Sequence, residues 1–126
     1  MIKVIAFVKR NPELSPEAFH RHWREVHGRL LSENPSLSRH IARYEQNPRS
    51  AEDYANGDVD FDGVAIAWYR TRADMEALFA EPDYIEQIRP DEERLSDGAH
   101  NVWITSEDEH VVIGDAPGGG AGADPA

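Results

Sequence analysis

From Ile2 to Lys9 the chain is apolar on both alternating faces, with Ile2, Val4, Ala6 and Val8 on one side and Ile5 and Phe7 on the other. That pattern predicts a strand buried on both sides. Asn11-Pro12-Glu13-Leu14 reads as a turn. Ser15-Pro16-Glu17 reads as a helix start, with serine as N-cap, proline at the first helical position and an acid in the first turn. The helix is expected from Pro16 to about Leu31, with Phe19, Trp23, Val26 and Leu30 as its buried stripe, and Asn34-Pro35 ends it. Leu37 to Glu45 alternates His40, Ala42 and Tyr44 with Arg39, Ile41 and Arg43, the pattern of an edge strand wet on one face. An acidic loop is expected from Asn47 to Asp60.

Val64 to Tyr69 is apolar on both faces again and predicts a second central strand. Thr71-Arg72-Ala73-Asp74 resembles a capping box with Asp in place of the usual Glu, and Met75, Leu78 and Phe79 give the following helix its stripe. Pro82 ends or kinks that helix, and a second short helical piece with Tyr84, Ile85 and Ile88 is expected to stop at Pro90. Asn101 to Ser106 closes the pattern as a strand, with Glu109 to Ile113 as its extension or an added short strand. Residues 114–126 contain no aliphatic side chain larger than alanine and predict a flexible Gly/Ala/Pro-rich tail behind a domain spanning 1–113.

The order β-α-β-β-α-β predicts an α+β ferredoxin-like sandwich, a four-stranded antiparallel sheet with both helices on one face. Two helices cover one face only, yet the strands beginning at Ile2 and Val64 are apolar on both. A second copy packed sheet to sheet is the economical cover, giving a homodimer in the form of a dimeric α+β barrel with a cavity in each subunit.

Composition narrows the function classes. Three Trp, four Tyr and four Phe in 126 residues supply the bulk for one core. The absence of cysteine excludes disulfides, zinc-thiolate sites and thiol nucleophiles. Thirteen Lys and Arg against 24 Asp and Glu leave a net charge of −11, with no basic cluster, which argues against nucleic acid and against an anionic membrane surface as partners. No apolar run is long enough for a signal peptide or a spanning helix, so a soluble cytoplasmic protein is expected. Neither a dinucleotide fingerprint nor a phosphate loop occurs, and no cofactor is expected.

Six histidines and a few acids carry the candidate chemistry. His27 lies beside the stripe of the first helix, where its imidazole is either a general acid or base at a cavity mouth or a partner for a backbone carbonyl near the helix end. His20 is expected on the same side and His22 elsewhere, both in ordinary surface roles, and their spacing does not favour a metal site. His40 and Tyr44 share one strand face, either toward the cavity or under the helices, with the small Ala42 between them leaving room for a ligand. Asp62 before Gly63 reads as a turn residue that could also orient an imidazole. Asp91 and Glu92 read as caps of a helical turn, and Glu109-His110 as a tie for the last strand or a dimer contact. Trp23 reads first as core. Strand alternation would turn Trp68 and Trp103 to the second face, to line a flat pocket suited to an aromatic ligand.

Phe19-His20-Arg21-His22-Trp23-Arg24-Glu25-Val26-His27 resembles the F-x-x-x-W-x-x-x-H signature of EthD-type proteins of the dimeric α+β barrel superfamily. Tyr44-Glu45-Gln46-Asn47, Asp62-Gly63-Val64-Ala65 and Glu109-His110-Val111-Val112 resemble that family's Y-x-Q-N, D-G-x-A and E-H-V-V segments in the same order, and Asp91-Glu92 its acidic pair. The resemblance implies the dimeric barrel and shifts the balance toward a chemical role for His27. It implies a superfamily that includes cofactor-free monooxygenases, isomerases, cyclases, dehydratases and haem-binding enzymes, and fold alone does not choose among these. The expected activity is a cofactor-independent lyase, isomerase or cyclase acting on a small aromatic or polyketide-like carbonyl compound. In it His27 moves a proton, Tyr44 or His40 polarises an oxygen, and Phe7, Trp23, Trp68, Trp103 and Asp62 contact the substrate. The alternative is a non-catalytic protein that binds an apolar metabolite or assists an oxygenase.

Overall fold

Strands β1 (Ile2–Val8) and β3 (Gly63–Tyr69) take the centre of the sheet because each is apolar on both faces. The more polar β2 (Arg43–Pro48) and the short β4 (Val102–Ser106) take the edges, in the order β2-β3-β1-β4 with every neighbouring pair antiparallel. The computed structural model describes residues 1–57 and 59–115, and most of the tail expected at 114–126 lies outside them. The two crossovers run over one face, so the chain has the α+β ferredoxin-like fold expected of its pattern.

The first crossover is α1 (Pro16–His22), a π-helical turn (Trp23–His27), α2 (Gly28–Ser32) and a short α3 (Pro35–Ser38). Ser15 caps α1 by accepting from the Ala18 N–H at 3.1 Å, with Pro16 in the first turn. Between β2 and β3 lies α4 (Ala51–Asn56), capped by Ser50, in the stretch expected to be an acidic loop. The second crossover is α5 (Arg72–Ala80), capped by Thr71 through the Asp74 N–H, then a second π turn (Tyr84–Ile88) and α6 (Arg89–Leu95).

Four expectations are corrected. Residues 37–42 are not strand: Asn34 caps α3 with Pro35 behind it, so the Asn-Pro pair that ends one helix starts another, and β2 begins only at Arg43. Pro90 does not stop its helix, because the wide turn before it, closed by the Arg89 N–H to the Tyr84 carbonyl, precedes a residue that needs no donor. Val26 is exposed, and the buried stripe of the first helix reads Phe19, Trp23, His27 and Leu31, since the π turn shifts every later residue around the axis. No strand forms at 109–113.

Register separates the two faces. Ala6 pairs with Ala65 and Trp103, and Val4 with Ala67 and Thr105, all toward the helices. Two buried clusters lie under the helices, one around Leu37, Leu78 and Ile88, the other around Phe19, Trp23 and Leu95. Ala6, Ala65 and Ala67 leave the sheet surface low between them, and a cavity of about 770 Å³ opens there, walled by side chains of both clusters. The opposite face carries Ile5, Phe7, Ile66, Val102 and Ile104, with Trp68 buried beneath Arg43, whose guanidinium lies 5.6 Å from the indole centroid.

Candidate active site

The π turn of the first crossover aims its last residue at the cavity. Its closing bond runs from the Gly28 N–H to the Trp23 carbonyl, which also accepts from Gln46 Nε2 at 2.8 Å. A Cβ on residue 28 would lie 3.3 Å from that Gln46 nitrogen, so glycine lets the β2 amide reach the turn. Trp23 stacks on Phe19 at 5.4 Å between centroids and lies over Gly63, where a Cβ would come within 2.7 Å of the indole. The helix is thus clamped to β2 and β3 immediately before His27, and His27 is 5% exposed on the cavity wall.

From the second crossover α6 brings Asp91, 1% exposed, against that histidine. His27 Nδ1 donates to Asp91 Oδ2 at 2.8 Å, and His22 Nε2 donates to Oδ1 at 2.7 Å. Burial pushes the Asp91 carboxyl up, but the hydrogen bonds from His27 and His22 outweigh it and hold the group below its ordinary value, so it is a carboxylate. An ionised Asp91 keeps the His27 proton on Nδ1 and leaves Nε2 as the acceptor. Among the described residues Nε2 has no protein partner, and it is not sealed from the cavity.

Tyr44, Tyr69, Tyr84 and Glu92 add polar groups to the same wall. Burial raises all three phenols above their ordinary value, so they remain O–H donors. Burial also pushes the Glu92 carboxyl up, opposed by the nearby His27, and the Tyr84 hydroxyl approaches Glu92 Oε1 at 3.4 Å. The rest of the wall is mostly apolar, with Arg89, Glu93, Ser96, Asn101 and Thr105 among it. Among the described residues no group of three His, Asp or Glu side chains is placed to hold a metal ion.

Of the catalytic and substrate-contact residues expected from the sequence, the structure brings His27, Tyr44, Trp23 and Trp103 to the cavity and leaves His40, Phe7, Trp68 and Asp62 elsewhere, while Glu92, expected only as a cap, also lines it. Trp103 stands at its rim, 65% exposed, on the face opposite Trp68, so the two indoles do not share a pocket. Phe7 lies on the second face against Phe61, at 5.6 Å between centroids. His40 lies outside the cavity and bonds Glu81 at 2.6 Å, beside Arg39 on the same oxygen. Those two bonds, from Arg39 first and His40 second, lower the Glu81 carboxyl.

Asp62 is buried away from the cavity and serves structure. It accepts from the Arg10 N–H at 2.9 Å and the Tyr54 hydroxyl at 2.7 Å, while its carbonyl bonds His20. Asp91, expected as a cap, and His22, expected at the surface, were missed as site residues. The five-residue step from His22 to His27 falls on one side only across a π turn, for which no single-residue signal exists. The one available signal was an acidic pair following a proline within an apolar stripe, an odd place for a solvated charge.

The EthD domain matches residues 11–99, a span that contains both π turns, His22, His27, Asp91 and Glu92. The chain belongs to the EthD domain family. Solved structures resemble this EthD protein in fold at low sequence identity. An ethyl tert-butyl ether d (EthD) family protein from Bacillus halodurans is 15% identical, with a TM-score of 0.63 over 86% of this chain and 99% of that one. A dimeric ferredoxin-like protein of unknown function from Thermobifida fusca is 16% identical, TM-score 0.59, over 83% and 88%. SnoaB, a cofactor-independent oxygenase from Streptomyces nogalater, is 13% identical, TM-score 0.59, over 88% and 95%. No functionally curated protein matches the sequence. Among the described residues of this EthD protein no helix is long and apolar enough to cross a membrane.

Proposed function

We propose that this EthD protein is a cofactor-independent general acid–base enzyme, a lyase, isomerase or cyclase of small aromatic or polyketide-like carbonyl compounds. The observation that carries the reading is the buried Asp91 fixing His27 Nδ1 while Nε2 opens on a mostly apolar cavity. Nε2 takes the proton from a carbon next to the substrate carbonyl. A tyrosine O–H donates to the oxygen where negative charge collects, with Tyr44 the first candidate. Return of the proton at another position completes an isomerisation, and loss of a leaving group completes an elimination. The aromatic wall and the volume fit a planar ligand of two or three rings.

The test is α-deuterium exchange into 2-tetralone in D₂O, followed by NMR. The protein is expected to accelerate exchange, and His27→Ala to cut that acceleration by about 10²–10⁴-fold, the usual worth of a positioned base. An unchanged rate in His27→Ala removes the base assignment, and binding of the ketone without exchange makes the protein a carrier.

The same reading includes a homodimer. Phe7, Val102 and Ile104 leave an apolar patch on the second face, and two structural neighbours are dimeric ferredoxin-like proteins. Sedimentation at micromolar concentration should give twice the 14.2 kDa chain mass, and a monomer would remove this part.

A further inference from the structure

His27 Nε2 faces a cavity that a bound ligand fills, so a proton taken there cannot leave by the same side during a turnover. Its other nitrogen bonds Asp91 Oδ2, and the second oxygen of that carboxylate bonds His22, whose side chain is 30% exposed. One path of hydrogen bonds at 2.7 and 2.8 Å therefore joins solvent to the cavity. The carboxylate brings one negative charge to two imidazoles. Two imidazolium rings on it would leave a net positive charge around a residue 1% exposed, which burial penalises.

We propose that His22 is a positioning residue of the acid–base machinery, a solvent-side proton port that holds the imidazolium charge on Asp91 while His27 is the free base and gives it up when His27 becomes charged. The inference rests on the reading of His27 as a base. In the step, the C–H proton of the substrate moves to His27 Nε2, and its bonding pair stays on the substrate as an enolate. The His22 proton on Nδ1, which has no protein partner among the described residues, passes to water. Return of the proton to product reverses both transfers. Asp91 stays ionised throughout and the charge on the His22–Asp91–His27 triad stays the same, while the negative charge of the enolate is met by the tyrosine O–H at the carbonyl oxygen.

The charged and titratable neighbours of the pair come chiefly from α6. Asp91 and Glu92 of α6 face His27, and Arg94 of α6 comes within 3.7 Å of Asp91 Oδ1 from an exposed position where solvent screens it. Arg89 and Glu93 of α6 and the phenols of Tyr44, Tyr69 and Tyr84 complete the cavity side.

The test is an imidazole ¹⁵N NMR titration of the full chain without ligand, so its outcome is independent of the deuterium-exchange test of His27. In the unaltered protein His22 and His27 should release protons in two coupled steps. His22→Gln keeps a polar group beside Asp91 but no charge, and the His27 midpoint should rise by about one pH unit, the size expected of strongly interacting sites. His22→Lys holds a permanent charge there and should return the midpoint to the unaltered position or below. A His27 midpoint that stays put or falls in His22→Gln overturns the proposal. Should that variant fail to fold, a His27 midpoint above the unaltered one in His22→Lys overturns it instead.

Discussion

Two buried aspartates of this molecule, Asp91 and Asp62, look alike by exposure and by having histidine nearby, and differ in what their partners leave open. Asp62 is held by groups that do not line the cavity. It takes the Arg10 N–H, the Tyr54 hydroxyl and a 3.3 Å approach from Arg10 Nε, while His20 reaches only its backbone carbonyl. The result ties α4 and the start of β3 to the end of β1, with Arg49 over the Tyr54 ring at 4.3 Å closing the outside. Asp91 is bound by two imidazoles, and each has a second nitrogen without a protein partner among the described residues, one toward the cavity and one on the solvent side. A buried carboxylate is therefore not in itself a site. What makes one is a titratable partner with an unspent nitrogen in a place a ligand can reach.

The largest effect that could break this contrast is on turnover. Asp91→Asn removes the charge that fixes the His27 tautomer, so the deuterium-exchange rate should fall by about 10²–10⁴-fold, whereas Asp62→Asn should leave the rate per folded molecule unchanged. Equal losses in both would erase the distinction. Next in size is stability, in the opposite sense. Asp62→Asn strands buried partners and should cost about 3 kcal/mol in urea unfolding.

The smallest effect is a pH dependence at Glu92. Its folded carboxyl titrates above the ordinary glutamate value of about 4.3, so it favours folding at low pH and opposes it once ionised. Glu92→Gln should therefore raise Tm more at pH 8 than at pH 4, by roughly 1 kcal/mol of stability. Asp91 has the reverse sign. Its stabilisation is present above the ordinary aspartate value of about 3.9 and is lost as pH falls below it through the depressed folded value. A Glu92→Gln variant whose gain is the same at both pH values would contradict the burial of its carboxyl.

Local signals in the chain were read correctly where local physics decides. Ser15 and Thr71 cap the helices expected of them, and the doubly apolar Ile2 and Val64 segments are the central strands. His27 was named from its place beside an apolar helical stripe, and Tyr44 from its place on one face of an alternating strand. Asp91, His22 and the displacement of Val26 could not, because two π turns reset the helical phase after residues 23 and 84, and a period of 3.6 carried through them points side chains the wrong way. His40 was misplaced for a related reason, since a capped turn at Pro35–Ser38 took the alternating residues out of the sheet.

By itself the sequence determined the element types, the centre and edges of the sheet, the excess of carboxylates and the absence of thiol chemistry, all properties of one residue or one short period. Only the tertiary structure decided which of two buried aspartates meets the imidazoles, that Trp68 and Trp103 face opposite sides, and that three alanines leave a cavity between two cores. Those outcomes depend on helical phase and strand register summed over residues far apart in the chain. One residue of shift in either moves a side chain from the cavity to the solvent.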